Sequence, residues 1–321
     1  MAMAVATVVG AGTTAHASSL TINPTFSSSL TSGQQSAIDA AITMIESDIT
    51  SPNNINVSIY FGSMNSGLGQ TNSATFDIPY YDYYLAFSAL ATSPAQQTAL
   101  ASLGPAPTGL GSGNPVNGNA IEITSAEARN LGLSGDAGYM SAPGGSGSYD
   151  GVVLLNTSMA VTPNSLSDNN YSLEAVANHE IDEVLGIGGS GSTLANGNTG
   201  PVGDLDLYRY SAPGVRSYSA TSPLAYFSIN GGNTVLSYFN QTAGADYGDW
   251  LSNPIPTGYE PQLQDAFGTP GANPTLGPNE LAAFSAIGYQ IEIAPEPSTF
   301  ALVGLGLLGF GILRRRQSAK S

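Results

Sequence analysis

Residues 173–189 read LEAVANHEIDEVLGIGG, and this stretch constrains the fold more than any other. Leu173, Ala177, Ile181, Val184 and Leu185 recur at helical spacing, so they form one apolar stripe that needs a second layer to cover it. Gly186 is a natural stop for that helix. His179 and Glu183 stand four residues apart and share another part of the helix surface, with Glu180 next to His179. Together with Glu174 and Asp182 they leave two readings: a merely solvated face, or a set of ligands carried on a core helix.

A borderline cation such as zinc takes imidazole nitrogen and carboxylate oxygen. Two such ligands one turn apart grip one face of the ion, and a neighbouring carboxylate outside that set accepts a proton from bound water. His179 and Glu183 fit the ligand roles, and Glu180 fits the base. His16 falls in the N-terminal apolar run, so His179 is the only histidine of the remaining chain. A three-histidine site within one chain is therefore excluded. A Ser–His–Asp hydrolase would also have to use His179, and no G-x-S-x-G motif accompanies it.

Composition narrows the classes. Against 23 Asp+Glu there are 7 Lys+Arg, a formal charge of -16. Between the two ends only Arg129, Arg209 and Arg216 remain. Almost nothing is present to neutralise phosphates, so an electrostatic nucleic-acid binder is excluded. Cysteine is absent, which removes disulfide frameworks, thiolate metal sites and thiol nucleophiles. Hydrophobic residues at 41% suffice for a real core. Charged residues are only 9%, beside 39 Gly and 20 Pro, the profile of an exported, loop-rich chain.

The two ends read as addresses. Residues 1–17 form a small apolar run closing on Ala15-His16-Ala17, an A-x-A cleavage pattern. Its basic n-region is missing, which points to a truncated start or an unusual leader. At the other end Pro295-Glu296-Pro297 precedes an apolar run to Leu313, then Arg314-Arg315-Arg316. A helix over 299–313 is near the lower limit for a membrane span, with the arginines holding the cytoplasmic side. This order resembles the PEP-CTERM sorting signal of Gram-negative bacteria, here 294–321. The resemblance implies export, transient anchoring in the inner membrane through the C-terminal helix, an exosortase as processing partner, and an outer-surface or secreted destination.

The middle, 18–293, reads as α+β. Helices are expected over 34–49, 80–90, 94–103, 173–185 and 279–287, and strands over 55–61 and 150–155. Residues 67–70, 108–119 and 138–147 read as loops. The loop-rich stretch after the 173–185 helix suggests an N-terminal subdomain of about 18–189 and a C-terminal one of about 190–293.

HEIDEVLGIGG resembles the zincin helix HExxHxxGxxH of the metzincins, with Glu183 at the second histidine, Gly189 at the third, and Gly186 matching the turn glycine. More closely, the chain resembles a PEP-CTERM-sorted family of predicted metalloproteases. Its matching blocks are HEIDEVLG, DLYRYSAPGVRSY at 206–218, YFSINGG at 226–232, GDWLS at 248–252 and QDAFGTPG at 264–271. The resemblance implies a zincin-like domain and a zinc-dependent endopeptidase acting on protein or peptide substrates. Zn2+ would be held by His179, Glu183 and Asp206, with Asp204 as the alternative third ligand, and Glu180 would be the catalytic base. Asp206 and Asp204 are equally suited to capping or to pairing with Arg209 or Arg216. Tyr208, Tyr210, Tyr247 and Tyr289 are candidates to stabilise an oxyanion. Asp246, Asp249 and Asp265 lie near glycines and are candidates for Ca2+, though turn aspartates do the same. Two other functions stay open: a non-catalytic surface or matrix protein on a decayed zincin scaffold, and a calcium-stabilised adhesion or polysaccharide-binding module.

Overall fold

The computed structural model describes residues 19–116, 118–133, 138–189, 201–217, 223–253 and 258–292. Alternating apolar residues build the first sheet. In β1 (Leu20–Phe26) and β3 (Ile55–Ser63), Leu20, Ile22, Val57, Ile59 and Phe61 point inward and are buried. Between them runs α1 (Ser32–Asp48), capped by Thr31 and Gln34 in a reciprocal box, and then the short β2 (Ile49–Thr50). β1 and β3 are parallel, as the α1 crossover requires.

β4 (Gly69–Ser73) and β5 (Thr75–Pro79) follow, then α2 (Tyr80–Leu90) and α3 (Pro94–Ser102). Next come β6 (Ala120–Thr124), α4 (Ser125–Asn130) and β7 (Gly151–Leu155). The first sheet has the order β1-β3-β7-β4, with β7 parallel to β3 and β4 antiparallel at the edge. The sequence reading placed a loop over 67–70, whereas Gly69 and Gln70 already belong to β4. Gly69–Ser73 carries no apolar residue to alternate with polar ones, and its pairing with β7 makes it a strand.

β8 (Ala160–Val161) and β9 (Tyr171–Ser172) lead into α5 (Leu173–Leu185). Ser172 starts α5 by accepting the Ala175 N–H at 3.2 Å. Gly186 ends it at φ 119°, a left-handed conformation that glycine adopts without strain. α5 lies against β4, β7 and α1, and its stripe of Leu173, Ala177, Ile181, Val184 and Leu185 is fully buried there.

The later chain adds β10 (Val202–Gly203), which joins β6 and β5 in a second sheet. β11 (Arg209–Ala212), β12 (Val215–Arg216), β13 (Tyr226–Phe227) and β14 (Ser237–Tyr238) form an antiparallel sheet. α6 (Pro278–Ala286) and β15 (Gln290–Ile291) close the described chain. Trp250 is fully buried beside Phe227 and Phe239 and donates its indole N–H to Glu280 of α6 at 2.9 Å. One buried apolar cluster runs from Leu20 to Tyr289, so the architecture is mixed α+β around a continuous core. No helix among the described residues is long and apolar enough to cross a membrane. The leader expected over 1–17 and the helix expected over 299–313 lie outside the described residues.

Candidate metal centre

α5 carries His179 and Glu183 on the side that its buried stripe leaves free. His179 Nε2 lies 3.5 Å from Glu183 Oε1 and 3.5 Å from Asp249 Oδ2. These three side chains form the one group of ligand-type residues that converges on a common point among the described residues. The third member is not the Asp206 or Asp204 that the sequence suggests for that role. Asp204 instead caps the short helical turn Leu205–Tyr208, accepting the Leu205 N–H at 2.8 Å, and Asp206 is buried within that turn. The cap ties the Asp204 carboxylate to its own backbone, and neither aspartate belongs to the converging group. By its place in the sequence Asp249 reads only as a calcium or turn aspartate. The clue to it was its place in Gly248-Asp249-Trp250: a buried tryptophan holds the residue before it in the core.

The surrounding hydrogen bonds aim each ligand. The Leu263 carbonyl accepts from His179 Nδ1 at 3.1 Å. A carbonyl only accepts, so Nδ1 carries the proton and Nε2 faces the carboxylates. Asp249 is buried, and its Oδ1 accepts from the Gly189 N–H at 2.8 Å and from Gln264 Nε2 at 3.1 Å. Its Oδ2 is thereby left for the centre.

Glu180 points to the edge strand instead. Its Oε2 accepts the Thr71 hydroxyl at 2.7 Å, and Gly69 passes so close that a Cβ would lie 2.7 Å from Glu180 Cδ. Burial pushes Glu180 up to about 7, against the pull of the His179 charge and the Thr71 hydrogen bond. Burial, and then the Glu180 charge, push Glu183 well above the usual carboxylate range. Burial disfavours a charged His179, but the Asp249 and Glu183 carboxylates outweigh it and hold the imidazole well above its ordinary range. Carboxyl groups therefore outnumber the single imidazole at the centre. One imidazole and two carboxylates at this spacing fit a divalent cation.

Two clefts meet at this point, and Glu180, Gly69 and the exposed Asp246 line both. One, of about 520 Å³, is acidic, with Glu122, Glu127, Glu183, Asp204 and Asp206 in its walls. The other, of about 420 Å³, is apolar, with Leu68, Met159, Tyr171, Val176 and Phe267 around His179.

The remaining expected residues are engaged in other contacts. Tyr208 donates its hydroxyl to the Ala286 carbonyl at 3.1 Å, and Tyr289 donates to the Leu185 carbonyl at 3.0 Å. Both are core ties between α5, α6 and the 205–208 turn. Tyr210 is buried with Arg216 over its ring. The Tyr247 carbonyl accepts from Arg209 Nη1 at 2.8 Å. Asp265 accepts from the Tyr259 hydroxyl and from the Gln262 N–H.

Residues 294–316 match the model of the PEP-CTERM protein-sorting motif. The chain therefore carries the sorting motif of exported proteins of Gram-negative bacteria, the substrate of exosortase processing. No curated protein and no solved structure matches the chain. The sorting motif covers the C-terminal end alone and concerns the chain's destination, not the chemistry of the centre.

Proposed function

We propose that this chain is an exported, metal-dependent endopeptidase on a zincin-like scaffold, delivered to the cell surface or beyond by its sorting motif. The observation that carries this reading is the convergence of His179, Glu183 and Asp249 beside a buried glutamate where two clefts meet. His179 Nε2, Glu183 Oε1 and Asp249 Oδ2 would hold the ion, with Zn2+ favoured by the resemblance of the helix. When bound, such an ion acidifies water and polarises a carbonyl. Glu180, poised near neutrality and lined up by Thr71, takes the proton of the attacking water and passes it to the leaving amine. The edge strand β4 and the two clefts provide room for an extended peptide on either side of the centre. The acidic walls, with no basic residue among those lining them, favour neutral or basic segments.

The carboxylate-rich ligand set also favours a second reading. Two anionic ligands make a bound ion a weaker Lewis acid than three imidazoles would, which suits a structural metal on a non-catalytic surface protein.

The test is elemental analysis of the purified full chain and of His179→Ala, followed by peptide hydrolysis with Glu180→Gln as control. About one ion per parent chain, none in His179→Ala, and hydrolysis lost in Glu180→Gln support the peptidase. A loaded chain that cleaves no peptide supports the structural reading. A parent that takes up no metal overturns both.

A further inference from the structure

His179, Glu183 and Asp249 meet a fourth side chain that the sequence reading did not single out. Gln264 is fully buried. Its backbone N–H donates to Glu280 at 3.2 Å, and its carbonyl accepts the Trp250 N–H at 2.8 Å. The residue is thus pinned behind the centre. Its Nε2 lies 3.4 Å from His179 Nε2, while its Oε1 is buried with no hydrogen-bond partner among the described residues.

Two ligand atoms each about 2.0–2.2 Å from one tetrahedral ion stand about 3.3–3.6 Å apart. His179 Nε2 has Glu183 Oε1 at 3.5 Å, Asp249 Oδ2 at 3.5 Å and the Gln264 amide at 3.4 Å. All three neighbours stand at ligand-to-ligand spacing. With the His179 imidazole in the neutral form that ligates a metal, three of the four groups present lone pairs, and the amide presents N–H. A cation among them repels that N–H and attracts a carbonyl oxygen. Half a turn about the last bond of the side chain exchanges the two amide atoms at nearly the same positions. Asp249 Oδ1 then loses the amide donor but keeps the Gly189 N–H at 2.8 Å.

We propose that Gln264 turns its amide when the metal binds and supplies Oε1 as a fourth protein ligand. With four protein groups holding it, the ion would be closed to water until Gln264 gave way. This inference rests on the metal-centre reading above and goes beyond it.

Zinc affinity of the full chain, measured by chelator competition, tests it with Gln264→Ala and Gln264→Glu. As a ligand position, Gln264→Ala loses about 10–100-fold in affinity, whereas Gln264→Glu keeps an oxygen there and binds as tightly as the parent or tighter. If the amide serves only as a donor steadying Asp249, Gln264→Glu sets carboxylate against carboxylate and binds more weakly than Gln264→Ala, which overturns the proposal. Equal affinity in all three also overturns it. The parent provides a readout without any variant: zinc loading shifts the side-chain carbonyl 13C resonance of Gln264, and an unmoved resonance rejects coordination. A parent that binds no zinc fails the metal-centre reading as well, whereas a parent that binds zinc with either contrary result fails this proposal alone.

Discussion

The backbone N–H of Gly189 donates to Asp249 Oδ1 at 2.8 Å. Gly189 occupies the position at which the resembled motif has its third histidine. In place of an imidazole, the chain here offers a main-chain donor that orients a carboxylate from 60 residues further on. The carboxylate beside His179 and Glu183 thus comes from a residue that the turn after α5 holds in place.

Asp249→Asn should lower metal affinity by about 10–100-fold, as loss of a supporting or ligating group does. Asp206→Asn and Asp204→Asn should leave it unchanged, because both carboxylates lie outside the converging group. Metal competition with a chromophoric chelator separates the two outcomes. An effect of Asp206→Asn equal to that of Asp249→Asn would restore the sequence expectation.

Glu180→Gln should retain the fold and the metal while losing about 10²–10⁴-fold in kcat on a peptide substrate. The amide oxygen of this variant still accepts the Thr71 hydroxyl, so circular dichroism should be unchanged. Unaltered turnover would remove Glu180 from the reaction.

Gly69→Ala tests the close approach of β4 to α5. The added Cβ collides with the Glu180 carboxyl, and overpacking of this kind costs about 1–3 kcal/mol. Denaturant unfolding should show that loss. A variant as stable as the parent would mean that Glu180 moves aside freely, in which case activity should still fall.

Glu127 and Asp204 are both buried carboxyls, and the Asp204 charge bears on Glu127. Burial, then the Asp204 charge, hold Glu127 well above the usual carboxylate range, and burial holds Asp204 at about 6. Both bind protons more tightly folded than unfolded. Their stabilising contribution is therefore complete below the ordinary carboxylate range and is lost as pH rises through about 6 and beyond. Glu127→Gln removes one of these two buried acids and keeps its shape. Its melting temperature should exceed the parent's above pH 7, by about 2–4 °C for each kcal/mol recovered, and should match it near pH 4. A gap independent of pH would refute the link between Glu127 ionisation and stability.

Local pattern made several elements legible in advance. The stripe and the stop of α5 gave its limits of Leu173 and Leu185, and α2 and α3 likewise begin where their sequences expect. His179, Glu180 and Glu183 were legible as a set because four-residue spacing on one helix is a local property. β4 was missed because its strand character comes from β7, not from its own polar residues. Asp249 and Gln264 sit in GDWLS and QDAFGTPG, blocks noted for resemblance without a role for either residue. By itself the sequence determined the helix that carries the centre, the exclusion of a three-histidine site, and the sorting motif at its end. The tertiary structure alone decided which of several aspartates stands beside His179 and Glu183. That choice depends on how the buried Trp250 and the turn at Gly189 bring distant segments of the chain against α5, and no spacing along a chain encodes such contacts.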